Sequence, residues 1–132
     1  MGHHEPIPIH PLVLVVEDSP VIRQIAAKNL DKFLVDAEYA ADGKEALQLF
    51  TKKRYSLVLM DIHMPEMDGL EATKRMREAE KGTGRHTPII AITASDTKAH
   101  CLEAGMDDYV TKPADYSRVI HHWLPTVRLK TA

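Results

Sequence analysis

Cysteine is almost absent: Cys101 is the single example in 132 residues. No internal disulfide can form, and the chain suits a reducing compartment. No stretch approaches the roughly 18 consecutive apolar residues of a membrane span. The N-terminus lacks a basic segment followed by an apolar run, which argues against a secretory leader. Neither sign of charge dominates, with 17 Lys and Arg against 19 Asp and Glu and a net charge of −2, so direct nucleic-acid binding through a basic face is not expected. A phosphate-cradling Gly-x-x-x-x-Gly-Lys-Ser/Thr loop is missing. Internal repeats are missing too. What remains is 44% hydrophobic content over a length suited to one compact domain. The expectation is a cytoplasmic domain with no membrane contact of its own.

Composition divides the chain into three parts. Residues 1–11 read as a flexible tail, where Pro6, Pro8 and Pro11 favour extended backbone and Gly2-His3-His4 fits either a tag remnant or a natural linker. Residues 12–128 read as the domain, and 129–132 as a C-terminal tail. Within the domain, strand and helix signals alternate. Leu12–Val16 is a Val-rich apolar run, as expected for a parallel strand covered on both faces. Ser19-Pro20 starts a helix whose apolar positions include Ile22, Ile25, Ala26, Leu30 and Phe33. Residues 35–40 alternate like a strand near a sheet edge, and Asp42-Gly43 turns into a helix over 44–53. A central strand over 57–60 precedes a helix capped by Asp68. Strand 89–92, a short helix over about 97–104 stopped by Gly105, strand 109–110 and a last helix carrying Tyr116, Val119, Ile120, Trp123 and Leu124 complete the pattern. Five strands alternating with five helices imply a three-layer α/β sandwich with a parallel sheet. Active groups in such a fold lie at the carboxyl ends of the strands.

The polar residues at those ends form an ordered set. Glu17-Asp18 follows the first strand, Asp61 the third, Thr93-Ala94 the fourth and Lys112-Pro113 the fifth, with Tyr109 inside the fifth. This set strongly resembles the receiver domain of two-component response regulators, over about Leu12 to Leu124. The segments 60–69 and 102–109 and the loop 80–86 look most like receivers attached to hybrid histidine kinases; an excised receiver and a free-standing one both fit. The resemblance implies a flavodoxin-like (βα)5 fold with strand order 2-1-3-4-5. It also implies that Asp61 accepts a phosphoryl group from a phosphohistidine on a histidine kinase or histidine phosphotransfer partner. Glu17, Asp18 and Asp61, with the backbone carbonyl of His63, would hold Mg2+ or Mn2+. Lys112 would bind a phosphoryl oxygen, and the Lys112–Pro113 bond would be cis. Thr93 and Tyr109 would act as the switch toward a downstream output protein or domain. His63 and Ala94 would tune the lifetime of the acyl phosphate, which the domain hydrolyses itself. Such a module is a signalling domain rather than a turnover enzyme.

One departure stands out. Thr93 and Lys112 are 19 positions apart, about three fewer than in common receivers, so the fourth helix should be shorter by about a turn. Two rival readings were set beside this one. A phosphatase of the haloacid-dehalogenase type needs a second aspartate two residues after the first, where this chain has His63. A receiver-like domain that works without phosphorylation usually lacks the acceptor or the acidic pair, and here Glu17, Asp18 and Asp61 are all present. His3-His4 and His121-His122 are adjacent pairs, which cannot face one metal from a helix, and Cys101 reads as a small core residue.

Overall fold

The computed structural model describes residues 10–62, 64, 67–94 and 98–130. The chain alternates β1 (Leu12–Val16), α1 (Pro20–Leu30), β2 (Asp36–Ala40), α2 (Gly43–Lys52), β3 (Leu57–Asp61), α3 (Gly69–Glu80), β4 (Ile89–Thr93), α4 (Lys98–Ala104), β5 (Asp108–Thr111) and α5 (Tyr116–Trp123). All pairings are parallel, and the order is β2-β1-β3-β4-β5. This is the expected doubly wound sheet, with β2 and β5 at its edges.

The continuous apolar strands have a direct cause. Successive side chains of β1, β3 and β4 point to opposite faces, and both faces are covered. Leu14, Val16, Val58, Met60, Ile89 and Ala91 pack with Ala46, Ala72, Met76, Cys101 and Met106 beneath α2, α3 and α4. Val13, Val15, Leu57, Leu59, Ile90 and Ile92 pack with Ala26, Leu30, Phe33, Val119 and Ile120 beneath α1 and α5. Cys101 is fully buried, as its composition suggested.

Helix starts are written in local chemistry. Ser19 Oγ accepts from the Ile22 amide at 3.3 Å, ahead of Pro20 in the first turn. Asp42 Oδ1 accepts from Glu45 N at 2.8 Å while Glu45 Oε1 accepts from Ala41 N at 2.9 Å, a reciprocal capping arrangement. Asp68 caps α3 through Glu71 N at 2.9 Å, and Asp115 caps α5 through Arg118 N at 3.1 Å. Gly105 ends α4 with φ of 105°, a conformation costly for any side chain with a Cβ. Among the described residues α4 covers seven, Lys98–Ala104.

Two features depart from the expected boundaries. Ile25 follows the helical spacing of the α1 apolar residues, but it is 50% exposed. Residues 129 and 130 were set apart as a tail, yet the chain after α5 runs back along the α1–β2 connection. Leu34 N donates to Arg128 O at 2.9 Å, Lys130 N donates to Lys32 O at 2.8 Å, and Phe33 and Leu129 form an antiparallel bridge. This strap lies beside Phe33, which is fully buried although it follows the end of α1. Deleting residues 127–132 should therefore cost roughly 2 kcal/mol, from three backbone hydrogen bonds, two of them to the α1–β2 connection, and lost apolar cover. A denaturant melt of the truncated chain checks this; an unchanged midpoint would show that the strap contributes nothing.

Candidate acidic site at the carboxyl edge of the sheet

Strand register brings the polar residues to one rim. Val16 stands opposite Met60, Asp61 opposite Ile92, and Thr93 opposite Thr111. Glu17, Asp61, Thr93 and Lys112 therefore emerge at the same level. One oxygen each of Glu17, Asp18 and Asp61 lies within 4.8 Å of the other two. Glu17 and Asp61 are buried at 4% and 2% exposure, whereas Asp18 faces solvent. Lys112 Nζ donates to Asp61 Oδ1 at 3.3 Å and stands 3.7 Å from Glu17 Oε1. Thr93 is fully buried at the end of β4, and its carbonyl accepts from Lys112 N at 2.7 Å. The Lys112–Pro113 peptide is cis. Ala94 is exposed just beyond β4, and Tyr109 is half-buried against the core under α2, α3 and α4. His63 lies outside the described residues.

Crowded carboxylates leave an electrostatic signature at Glu17. Burial is the main cause that pushes its pKa from 4.5 up to about 7, and the charge of Asp61 and the contact with Asp18 add to it. The Ser19 amide, donating to Glu17 Oε2 at 3.1 Å, and Lys112 pull the other way. An all-oxygen, acidic donor set of this kind suits a hard divalent cation. Without one, folding takes up a proton at Glu17 between pH 4.5 and about 7. The raised pKa thus contributes stability that is complete below pH 4.5 and lost as pH rises through 7. Metal-free protein should lose on the order of 2–3 kcal/mol between pH 5 and pH 8 through this group. Glu17→Gln should flatten that slope in thermal melts with a chelator present; a slope equal to wild type would place the titration elsewhere.

Three residues belong to the site's surroundings although the sequence did not single them out for it. Gly69 N donates to Ile62 O at 3.0 Å and closes the loop after β3. A Cβ at Gly69 would stand 2.3 Å from Asp61 O and 2.9 Å from Ile62 Cα, so the first turn of α3 lies directly on the backbone of Asp61. Tyr116 was read as part of the α5 apolar face. It is buried, and burial raises its phenol pKa, with the charges of Glu17 and Asp61 adding to the shift. It lines a cavity of about 330 Å3 together with Ile22, Ile25, Ile92, Lys112 and Pro113. Val21, 65% exposed, is also on α1. A larger cavity, about 520 Å3, lies at the opposite end of the sheet among Arg54, Arg85 and Pro88. There α2 and α3 end, and cations balance the negative ends of their dipoles.

With this fold and this rim established, the comparisons with known proteins agree. The response regulator receiver domain family matches residues 13–123, and the chain belongs to that family. The "Hybrid signal transduction histidine kinase I" of Dictyostelium discoideum is 44% identical over 109 residues, covering 76% of this chain and 6% of its own length. "Histidine kinase 1" of Arabidopsis thaliana is 36% identical over 139 aligned positions, covering 78% of this chain and 12% of its own length. The chain thus spans a small fraction of these relatives. Among solved structures, the receiver domain of the Arabidopsis thaliana histidine kinase CKI1, complexed with Mg2+ and BeF3−, superposes with a TM-score of 0.79 at 33% identity, covering 89% of this chain and 93% of that one. The Saccharomyces cerevisiae response regulator Ssk1 receiver, solved with the histidine phosphotransfer protein Ypd1, gives 0.78 at 32% identity, covering 86% of this chain and 88% of that one. The chain is a receiver module of two-component phosphorelay signalling. Among the described residues no helix is long and apolar enough to cross a membrane.

Proposed function

We propose that Asp61 accepts a phosphoryl group from a phosphohistidine on a histidine kinase or histidine phosphotransfer partner. The observation that carries this reading is the convergence of three carboxylates within 4.8 Å, with Lys112 Nζ 3.3 Å from Asp61. Glu17, Asp18 and Asp61, with the carbonyl of His63, would hold Mg2+ or Mn2+; when bound, that ion supplies positive charge to offset the anionic oxygens of carboxylate and phosphoryl group. Asp61 Oδ attacks phosphorus, the P–N bond to the donor imidazole breaks, and the imidazole leaves. Lys112 pairs with a phosphoryl oxygen as charge accumulates there. Burial of Glu17 and Asp61 keeps these interactions strong by limiting solvent screening. Water later hydrolyses the acyl phosphate, at a rate that His63 and Ala94 would tune. Thr93 and Tyr109 relay the charge change to the β5 edge, where an output partner would read it. The domain acts in the cytosol, and the relatives' architecture supports a place within a hybrid histidine kinase.

The donor must reach Asp61 across the surface of α1. Val21 and Ile25 are exposed there, and the 330 Å3 groove beside Lys112 is largely apolar. These features support docking of an apolar helical face of the donor protein, and the Ssk1–Ypd1 neighbour supports a histidine phosphotransfer protein as that donor. The test uses two donors. Wild-type protein should gain label at Asp61 from a phosphorylated phosphotransfer protein and from phosphoramidate. Ile25→Glu should slow the first reaction by roughly tenfold or more while leaving the second unchanged. Failure of wild type to take label from either donor would sink the function; equal slowing of both reactions would sink only the docking face.

A further inference from the structure

We propose that Arg23 is a positioning residue for the acidic cluster, an inference that rests on the divalent-cation reading above. Arg23 lies near the start of α1, and its guanidinium Nη1 donates to the main-chain carbonyl of Glu17 at 2.6 Å. Its own amide donates to Ser19 O at 3.0 Å. One residue therefore closes the β1–α1 turn with both its backbone and its side chain. The remaining anchors lie on Glu17. Its amide donates to Ala40 O at 3.0 Å, and its carboxylate accepts from Ser19 N at 3.1 Å.

The carbonyl that Arg23 holds belongs to the peptide joining Glu17 to Asp18. Rotation of that peptide plane swings Asp18 relative to Glu17 and Asp61. Asp18 is exposed, so packing does little to aim it. The plane before it does, and Arg23 fixes that plane. A solvated surface arginine is the bland alternative, but Arg23 is only half-exposed, and the contact reaches back across six positions. A cation this close to the positive end of a helix is also disfavoured by the helix dipole, unless anionic or carbonyl oxygens offset it. Glu17 O does so. A rigid guanidinium fork suits a fixed carbonyl better than a lysine ammonium, whose flexible stem leaves the direction of its donors open.

The test is a calorimetric titration of Mg2+ into the full chain, as wild type, Arg23→Lys and Arg23→Ala, with metal-free thermal melts of each. Partners that orient metal ligands are commonly worth 10–100-fold in affinity, so Arg23→Ala should raise the Mg2+ Kd by about tenfold. Arg23→Lys should fall between it and wild type. Metal-free melting of Arg23→Ala should stay within a few degrees of wild type, and saturating Mg2+ should restore phosphoryl uptake from phosphoramidate. Unchanged Mg2+ affinity in Arg23→Ala would overturn the inference, as would a loss that merely tracks unfolding. Uptake that stays low at saturating Mg2+ would also overturn it, because Arg23 would then act on the phosphoryl group itself. Wild type that fails to bind Mg2+ would instead overturn the underlying reading of the acidic cluster.

Discussion

Asp61→Asn should abolish phosphoryl incorporation from every donor while leaving the chain folded. The amide is nearly the same size and keeps one oxygen, but it lacks the anionic oxygen that attacks phosphorus and helps hold the cation. Packing around the site should survive, because β3 is buried along its length by its apolar residues and not by Asp61. Lys112 loses one partner but keeps Glu17 within 3.7 Å, and it retains partial solvent access. Removing the Asp61 charge also relieves part of the repulsion that raises the pKa of Glu17. Intact-mass measurement after incubation with phosphoramidate and Mg2+ reads the effect directly: one phosphoryl adduct on wild type, none on Asp61→Asn. An adduct of equal yield on the variant would move the acceptor to another residue.

Gly69→Ala should be the most damaging of the conservative changes near the site. Elsewhere in a helix, Ala is favoured over Gly. Here the added methyl would meet Asp61 O at 2.3 Å, Ile62 Cα at 2.9 Å and Met60 Cγ at 2.9 Å. Two of these are backbone atoms and cannot rotate away, so α3 must lift from the end of β3. Overpacking of this kind costs roughly 2–3 kcal/mol, corresponding to a fall in Tm of about 6–15 °C for a domain of this size. The lifted turn also displaces the backbone that carries Asp61, so Mg2+ affinity should fall with it. Circular-dichroism melts, followed by a Mg2+ titration at a temperature where the variant is folded, separate the two effects. A variant as stable as wild type would mean that the loop after β3 yields easily.

The contrast between Asp61 and Gly69 explains what was legible in the sequence. Glu17, Asp61 and Thr93 end or follow apolar runs, and a run buried on both faces marks a central strand whose carboxyl end is a rim; Lys112 follows the short edge strand β5 and precedes a proline. Four residues far apart in sequence could thus be assigned to one place. Ser19, Asp68 and Gly105 were legible for a local reason, since caps depend on chemistry within a few positions. Gly69 gave only the signal of a loop breaker, because its need for no Cβ arises from Asp61, eight positions back and on another element. Ile25 followed helical spacing, but periodicity does not say where a helix face runs out of sheet to cover. The strap over Phe33 has no local pattern at all; it is a pairing of two short segments distant in sequence. Arg77 is similar. It donates to Gly105 O, Thr87 O, Glu80 and Asp107 at 2.7–2.9 Å and ties α3 to the starts of β4 and β5, though it reads as one more charge on α3.

The short α4 bears on the output. Among the described residues, seven helical ones lie between β4 and β5, and Arg77 holds the carbonyl of Gly105 at their end. Tyr109, inside the edge strand β5, packs against the core under α2, α3 and α4.

The central claim is that a divalent ion and Lys112 together make Asp61 able to carry phosphorus. Beryllofluoride mimics the aspartyl phosphate, so an amide-resolved NMR titration with beryllofluoride tests this claim most directly when run with and without Mg2+. Large, saturable shifts at Asp61, Thr93 and Lys112 that require Mg2+ and vanish in Asp61→Asn are the predicted result. Spectra unchanged by the combination, or shifts of equal size without Mg2+, would contradict it.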